Sequence, residues 1–312
     1  MALKDITRPR QIIRKRSPLP ALPAGTTPGG TEVGDPRIAR LRWLIYALAL
    51  LSSLLQSAIA PLLPSYAHRF QLGGVQIAAL LAATGVAALV ISLPAGALSD
   101  RFGARVLTLW SGWLIVVATL GQAFAPNFPV LLATRLVFGL GYGIVWTAAL
   151  TWLARASGDE TCLAGTITAS GFGCIVGPAF AGFIAEYFGL AAPFVVATVL
   201  MVAVTLLLTA IDLEGASVVE RTRILVSVRT AAADLKVLGA TIAVTLAGAS
   251  AALVTLVAPL ELHGSGASEG SIGVAFSLAA VLFILGSAVT RRVGHRAVRL
   301  KTVLGAGLVL AL

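Results

Sequence analysis

Few side chains in this sequence could do chemistry, and the most unusual of them sits where charge is costly. Arg135 lies inside the apolar run 129–154, in the segment RLVFGLGYG. A cation at such depth faces a wet cavity or a partner, or else snorkels toward Pro129, six positions away. At about 100° per residue, Tyr142 and Trp146 fall within about 20° of the Arg135 face. Together they form a polar-aromatic stripe, and Gly139 leaves room beside it. A second group is GALSDRFGAR, residues 96–105. Gly96 and Gly103 permit tight reversals. Asp100 can accept backbone N–H groups at a helix N-terminus, and Arg101 and Arg105 suit a polar interface. The third is GFGCIVGPAFAG, residues 171–182. Gly165, Ala169, Gly173, Gly177 and Ala181 recur every four residues and make a face on which another helix can approach closely. Pro178 removes a backbone hydrogen bond and is expected to bend the helix.

Other chemistries find no residues to carry them. His68, His263 and His295 are isolated, so no metal constellation is expected. The sequence has no G-x-x-x-x-G-K-[ST] element to bind ATP. The glycines at 139–143 lack the flanking strand of a dinucleotide fold, and no cofactor is expected. Cys162 and Cys174 are separated by about 18 Å along one helix, beyond disulfide reach. The first and fourth apolar runs carry no acid; Ser52, Ser53 and Gln56 supply the polarity of the first, expected on one side. Glu186 and Glu261 are the acids closest to a cavity mouth. With few cavity charges, the aromatics Trp146, Tyr142 and Phe172 favour a hydrophobic or cationic small molecule.

The elements that must hold these residues follow from composition. The 312 residues are 58% hydrophobic and 12% charged, against about 45–50% and about 25% in a soluble domain. The excess implies lipid as solvent. Apolar runs near spanning length occur at 41–63, 75–98, 104–124, 129–154, 162–186, 190–211, 237–260 and 271–290, and another begins near 302. The net charge of +10 is topological rather than a sign of nucleic acid binding. With the N-terminus inside, 21 of the 23 lysines and arginines fall on one side, as the positive-inside rule requires. Attraction to anionic lipid is a secondary role for the same charges. The first 37 residues lack a signal-peptide apolar core and read as a disordered basic tail.

The chain also echoes itself. SAVTRRVGHR, 287–296, aligns with GALSDRFGAR when Gly294 is laid over Gly103, which brings Arg292 onto Arg101 and Arg296 onto Arg105. Arg291 replaces the acid at Asp100. APL occurs at both 60–62 and 258–260, in the first run of each set. Parallel repeats of this kind are a feature of transporter halves.

GALSDRFGAR resembles the signature loop of the major facilitator superfamily, although Ala104 stands where a second basic residue is usual. RLVFGLGYG resembles the family's arginine motif of the fourth helix. Gly173-x-x-x-Gly177-Pro178-x-x-Ala181-Gly182 looks like its antiporter motif, with Ala181 where a glycine is usual; ordinary small-residue packing is the alternative. The resemblance implies an all-α polytopic membrane protein. A disordered tail (1–37) would precede a six-helix bundle (38–211), a central cytoplasmic loop (212–236) and a partial second bundle (237–312). Gly96, Asp100, Arg101, Gly103 and Arg105 would then be a conformational latch between halves, docking on the eleventh helix. Arg135, Gly139, Tyr142, Trp146 and Gln56 would line a proton-coupled cavity. Gly173, Gly177, Pro178 and Gly182 would mark a drug:proton antiporter in the plasma (inner) membrane, with the bilayer, a small molecule and a proton as partners and no enzymatic activity. The run ending at Leu312 is too short to span about 30 Å, so the sequence is expected to be C-terminally incomplete. A transport-inactive truncated protein and a metabolite uptake carrier are the alternative readings.

Overall fold

A computed structural model describes residues 35–157, 161–213 and 235–293. The tail, most of the 212–236 loop and the run from 302 therefore lie outside the described residues, as do Gly294 and Arg296 of the repeat. Among the described residues every regular element is a helix.

Each of the eight apolar runs coincides with a helical segment to within two residues or is contained in a longer one, and helix starts are set by local chemistry. Asp35 caps the first span, Pro36–Phe70, by accepting the Arg37 N–H at 2.8 Å, with Pro36 in the first turn. This span is two helices, Pro36–Ser57 and Ile59–Phe70, joined at Ala58. The second span is Gly74–Phe102 and the third Ala104–Ala123. Asn127 opens the fourth, Phe128–Ser157, by accepting the Val130 N–H at 3.1 Å. Midway along it, Val145–Ala149 widens into a π-helical turn, which sequence periodicity does not reveal. The fifth span is Thr161–Phe188, continuous through Pro178, and the sixth Ala192–Thr209. The seventh helix is Leu235–Gly264 and the eighth Glu269–Val293.

The distribution of polarity is that of a protein in hydrocarbon. Large apolar side chains such as Leu89, Trp110, Val117, Leu206 and Phe283 face outward. Ser53, Thr84, Ser111, Thr119, Gln122 and Arg135 are buried instead. Water would penalise that exposed surface; lipid does not, while it forces polar groups to find partners inside. Accordingly Thr108, Thr119, Thr166 and Thr198 each donate to the carbonyl four residues back.

The first span packs most extensively on the fifth, the second and third on the fourth, the third on the sixth, and the eighth on the fifth. One end of the bundle carries Arg37, Arg40, Arg42, Arg101, Arg105 and Arg155; we call it the basic end. The other, with the turns near residues 71–73, 125–127, 189–191 and 265–268, is the far end. Seven helical segments, Pro36–Phe70 through Ala192–Thr209 and Glu269–Gly286, are long and apolar enough to cross a bilayer.

Candidate functional site

Arg135 is 1% exposed. It does not snorkel. Its guanidinium lies between two amides, with Nη1 donating to Gln122 Oε1 and Nη2 to Gln56 Oε1, both at 3.4 Å. These are long for charge-assisted bonds. Gln56 comes from the first span and Gln122 from the third, so the arginine joins three spans. Nε has no partner among the described residues, and no carboxylate pairs with Arg135 among them. What faces the cation is the Phe138 ring, 5.4 Å from Cζ to centroid.

From Phe138 an aromatic ladder runs along the fourth span toward its basic end. Phe138 and Tyr142 stack at 6.0 Å, and Tyr142 meets Trp146 edge-on at 6.2 Å. Trp146 lies within the π-helical turn. The stripe of Arg135, Tyr142 and Trp146 is therefore continuous, with Phe138 as the link that sequence counting leaves out. Gly139 serves a different purpose from the one its position suggests. It faces the second span, where an added Cβ would lie 2.5 Å from Thr84 O and 2.8 Å from the Ala87 Cβ. Gly143, four residues on, meets Ala88 and Ile91 of the same span, while Gly141 meets Ile115 of the third. Trp152, off the stripe by its angle, is 1% exposed and donates Nε1–H to Leu213 O at 2.8 Å.

The polar residues of the first span do not form one cluster. Ser52 donates to its own helix at Ala49 O. Ser53 and Ser170 share a 2.6 Å hydrogen bond to the fifth span. Gln56 alone reaches Arg135. These three residues do not share one side, because each turns to a different neighbour.

The 96–105 segment differs from its sequence reading. The second span stays helical through Gly96 and Asp100 to Phe102, and the reversal is confined to Gly103, at φ +89°. A side chain is strained at that angle; glycine is not. Asp100 thus sits in the last turn of a helix, not at an N-terminus, and its carboxylate takes Arg155 Nη2 of the fourth span at 3.1 Å. Arg105 binds Thr209 O at 3.2 Å, at the end of the sixth span, and Asp212 at 2.8 Å, just past it. Arg101 is exposed over the Phe102 ring. Both ion pairs are water-accessible, with side-chain exposures of 26% and 49% for Arg155 and Asp100. Such pairs contribute about 0–1 kcal/mol. Asp100→Asn should therefore leave the melting temperature of the purified protein within a few degrees of the parent, as read by thermal-shift fluorescence.

The fifth span is packed on two sides. A Cβ at Gly173 would overlap Leu50 O, one at Gly177 would overlap Ser57 Oγ and approach Leu54 O at 2.6 Å, and one at Gly165 would overlap the Tyr46 hydroxyl. All three face the first span. Gly182 instead faces Glu269 O of the eighth span, and Gly273 of that span meets Pro178 O. The glycine-proline segment is wedged between the first and eighth spans, while Phe172 is exposed.

Glu186 and Glu261 are both exposed, and Glu186 accepts the Gly270 N–H at 2.9 Å. Sequence reasoning passed over Glu269, which accepts the Ser65 hydroxyl. The signal was Ser268-Glu269 at the head of an apolar run, an N-cap followed by a first-turn acid.

An apolar exterior, a polar interior and seven helical segments of spanning length define a multi-pass membrane protein. The Major Facilitator Superfamily profile matches residues 45–312, and the chain belongs to that superfamily. It is similar to a protein of Lactococcus lactis subsp. lactis (strain IL1403) described as a multi-drug resistance efflux pump PmrA homolog. The identity is 32% over 163 residues, covering 48% of this chain and 39% of the relative. The MFS-type transporter ppzB of Metarhizium rileyi is 31% identical over 176 residues, 53% of this chain and 36% of that protein. A D-xylose transporter of Levilactobacillus brevis is 36% identical over 91 residues, 29% of this chain and 19% of that protein. The alignments thus take in less than two fifths of the length of each of these three relatives.

Proposed function

We propose that the chain is part of a proton-coupled exporter of small hydrophobic or cationic compounds that works by alternating access. The observation that carries this reading is the glycine-proline segment of the fifth span, seated between the first and eighth spans. Close backbone contact without interlocking side chains lets one group of helices rock against another while each stays intact. The Arg135 centre and the Phe138–Tyr142–Trp146 ladder would line the path: rings to hold an amphipathic solute, and a fixed cation to set the potential. The longer similarity to a drug pump than to a sugar carrier supports export. We place the basic end in the cytoplasm and the far end outside, in the plasma membrane, following the lysine and arginine distribution. Gly96, Asp100, Arg101, Gly103 and Arg105 would act as the latch at the cytoplasmic face.

The test is accumulation of a fluorescent lipophilic cation in cells expressing the full-length gene. Steady-state dye should fall several-fold relative to cells with an empty vector, and a protonophore should erase the difference. Equal accumulation across a panel of lipophilic cations and neutral dyes would remove the export reading. Uptake into right-side-out vesicles instead of extrusion would replace it with the carrier alternative.

A further inference from the structure

At the far end of the bundle the eighth span is joined to the first and fifth by hydrogen bonds that the motifs do not describe. Glu269 opens the eighth span, and its Oε1 accepts the Ser65 hydroxyl of the first span at 2.5 Å. Beside it, the Gly270 N–H donates to Glu186 Oε2 of the fifth span at 2.9 Å. About two turns deeper, the Ala179 N–H donates to Ser277 Oγ at 3.0 Å. The two carboxylates therefore tie one helix N-terminus to two different spans. Ser268 completes that terminus by accepting the Ser271 N–H at 3.3 Å.

The remainder of this contact is shape. Gly273 and Gly182 bring backbone against backbone, and Gly270 sits against the Glu186 carboxylate and the Phe183 ring, a fit that holds only while the helices are seated. Directional force comes from the carboxylates. A hydrogen bond to an ionised carboxylate is about twice as strong as a neutral one, and negative charge at a helix N-terminus is favoured. Protonation removes both advantages at once. The elements packed around the clasp contribute Tyr66, His68 and Arg69 from the first span, Tyr187 from the fifth, and Glu261 and His263 from the seventh. Of these, His263 acts electrostatically on Glu269.

We propose that Glu269 and Glu186 form an acid-released clasp: ionised, they hold the far end closed through Ser65 and the Gly270 N–H; protonated, they let the eighth span swing away. The sign follows directly. The clasp is intact where both carboxylates are ionised and is lost as acid protonates them. It does not depend on what is carried, and a clasp that responds to pH in a protein that exports no dye would stand while the export reading falls.

The experiment uses the full-length protein in nanodiscs. Cys162 and Cys174 are replaced by alanine, and spin labels are placed at Tyr187→Cys and Ser265→Cys, outside the clasp. Between pH 8 and pH 4.5 the longer-distance population should grow several-fold. Glu269→Gln with Glu186→Gln should show the long distance already at pH 8 and no further response to acid. Ser65→Ala should open at a higher pH than the parent. A distance distribution that ignores pH in the parent protein overturns the proposal. So does a doubly amidated variant that still responds to acid, or a response that vanishes in His263→Gln while both glutamates remain. If the double variant does not fold, the Ser65→Ala arm decides: an unshifted opening midpoint counts against the clasp.

Discussion

Arg135→Met should slow transport on the order of 100-fold while leaving the protein folded and about as stable as before. Methionine is apolar and similar in length, so it fills the space without the charge. Two opposing effects act on stability. Removing a buried ion relieves its desolvation cost, and replacing buried ion pairs by well-packed apolar residues is neutral to stabilising by about 1–4 kcal/mol. Leaving Gln56 Oε1 and Gln122 Oε1 without their donor costs about 1–3 kcal/mol for each group that stays buried. Gln56 is only part-buried and can turn, so the net change should stay within about 2 kcal/mol. Function has no such compensation. A hydrogen bond to a charged group contributes about 1.5–3 kcal/mol, and two are lost. If about 3 kcal/mol of that is expressed in the transport step, the rate falls on the order of 100-fold. Arg135→Lys keeps the charge but cannot reach two amides in a fork, and it should retain intermediate activity. Initial rates of dye efflux, set beside melting temperatures in one detergent, separate the two roles. A large drop in melting temperature for the methionine variant would make Arg135 a structural residue and remove it from the transport path.

The reading of the chain as helices in lipid was open to the sequence because it rests on bulk properties. Runs of spanning length have nowhere else to go, and each of the eight corresponds to a helical segment. Their ends were less accurate. The first span begins five residues earlier than its apolar run because Asp35 and Pro36 set the start, and arginines on that first turn hide it from a hydropathy reading. The π-helical turn at Val145–Ala149 leaves no mark in periodicity, since one extra residue per turn is within the noise of a five-residue window.

Partners across the bundle were harder to see. Arg135 stood out because a charge in an apolar run is conspicuous, and Gln56 could be named because the first span has few polar residues. Gln122 is just as close, but it lies near the end of the third run, where a glutamine looks like an interfacial residue. Asp100 resembles a helix-terminus acceptor in the sequence because its partner, Arg155, is 55 residues away and nothing local identifies it. Gly139 illustrates the general limit. Glycine spacing states that a close approach exists, not which neighbour makes it, because the rotation of a helix in its bundle is decided by all its contacts together. The spacing of 139 and 143 belongs to the second span, and that of 173 and 177 to the first.

Alanine at Gly173 or Gly177 should destabilise the protein by about 1–3 kcal/mol each, whereas Gly171→Ala should be neutral or stabilising. The contrast lies within one helix and uses one added methyl group. At Gly171 the new Cβ would meet only Ile284 Cδ1, at 3.7 Å, an ordinary contact with the end of a flexible side chain. There the usual helical preference for alanine over glycine, about 1 kcal/mol, should appear undiminished. At Gly173 the obstacle is the Leu50 carbonyl, with the Leu54 N at 3.0 Å behind it; at Gly177 it is Ser57 Oγ with Leu54 O behind. Backbone cannot rotate out of the way, so the first and fifth spans must separate, and every contact along that interface loosens with them. Valine should be worse than alanine at both positions and should reduce the folded yield. Gly182→Ala presses on Glu269 O instead, so it should weaken the seat of the eighth span while leaving the first and fifth together. Melting temperatures of the four alanine variants in a single detergent give the order directly. If Gly173→Ala melts with Gly171→Ala, the two spans have slack between them, and the tight helix pair on which a rocking motion would turn is not there.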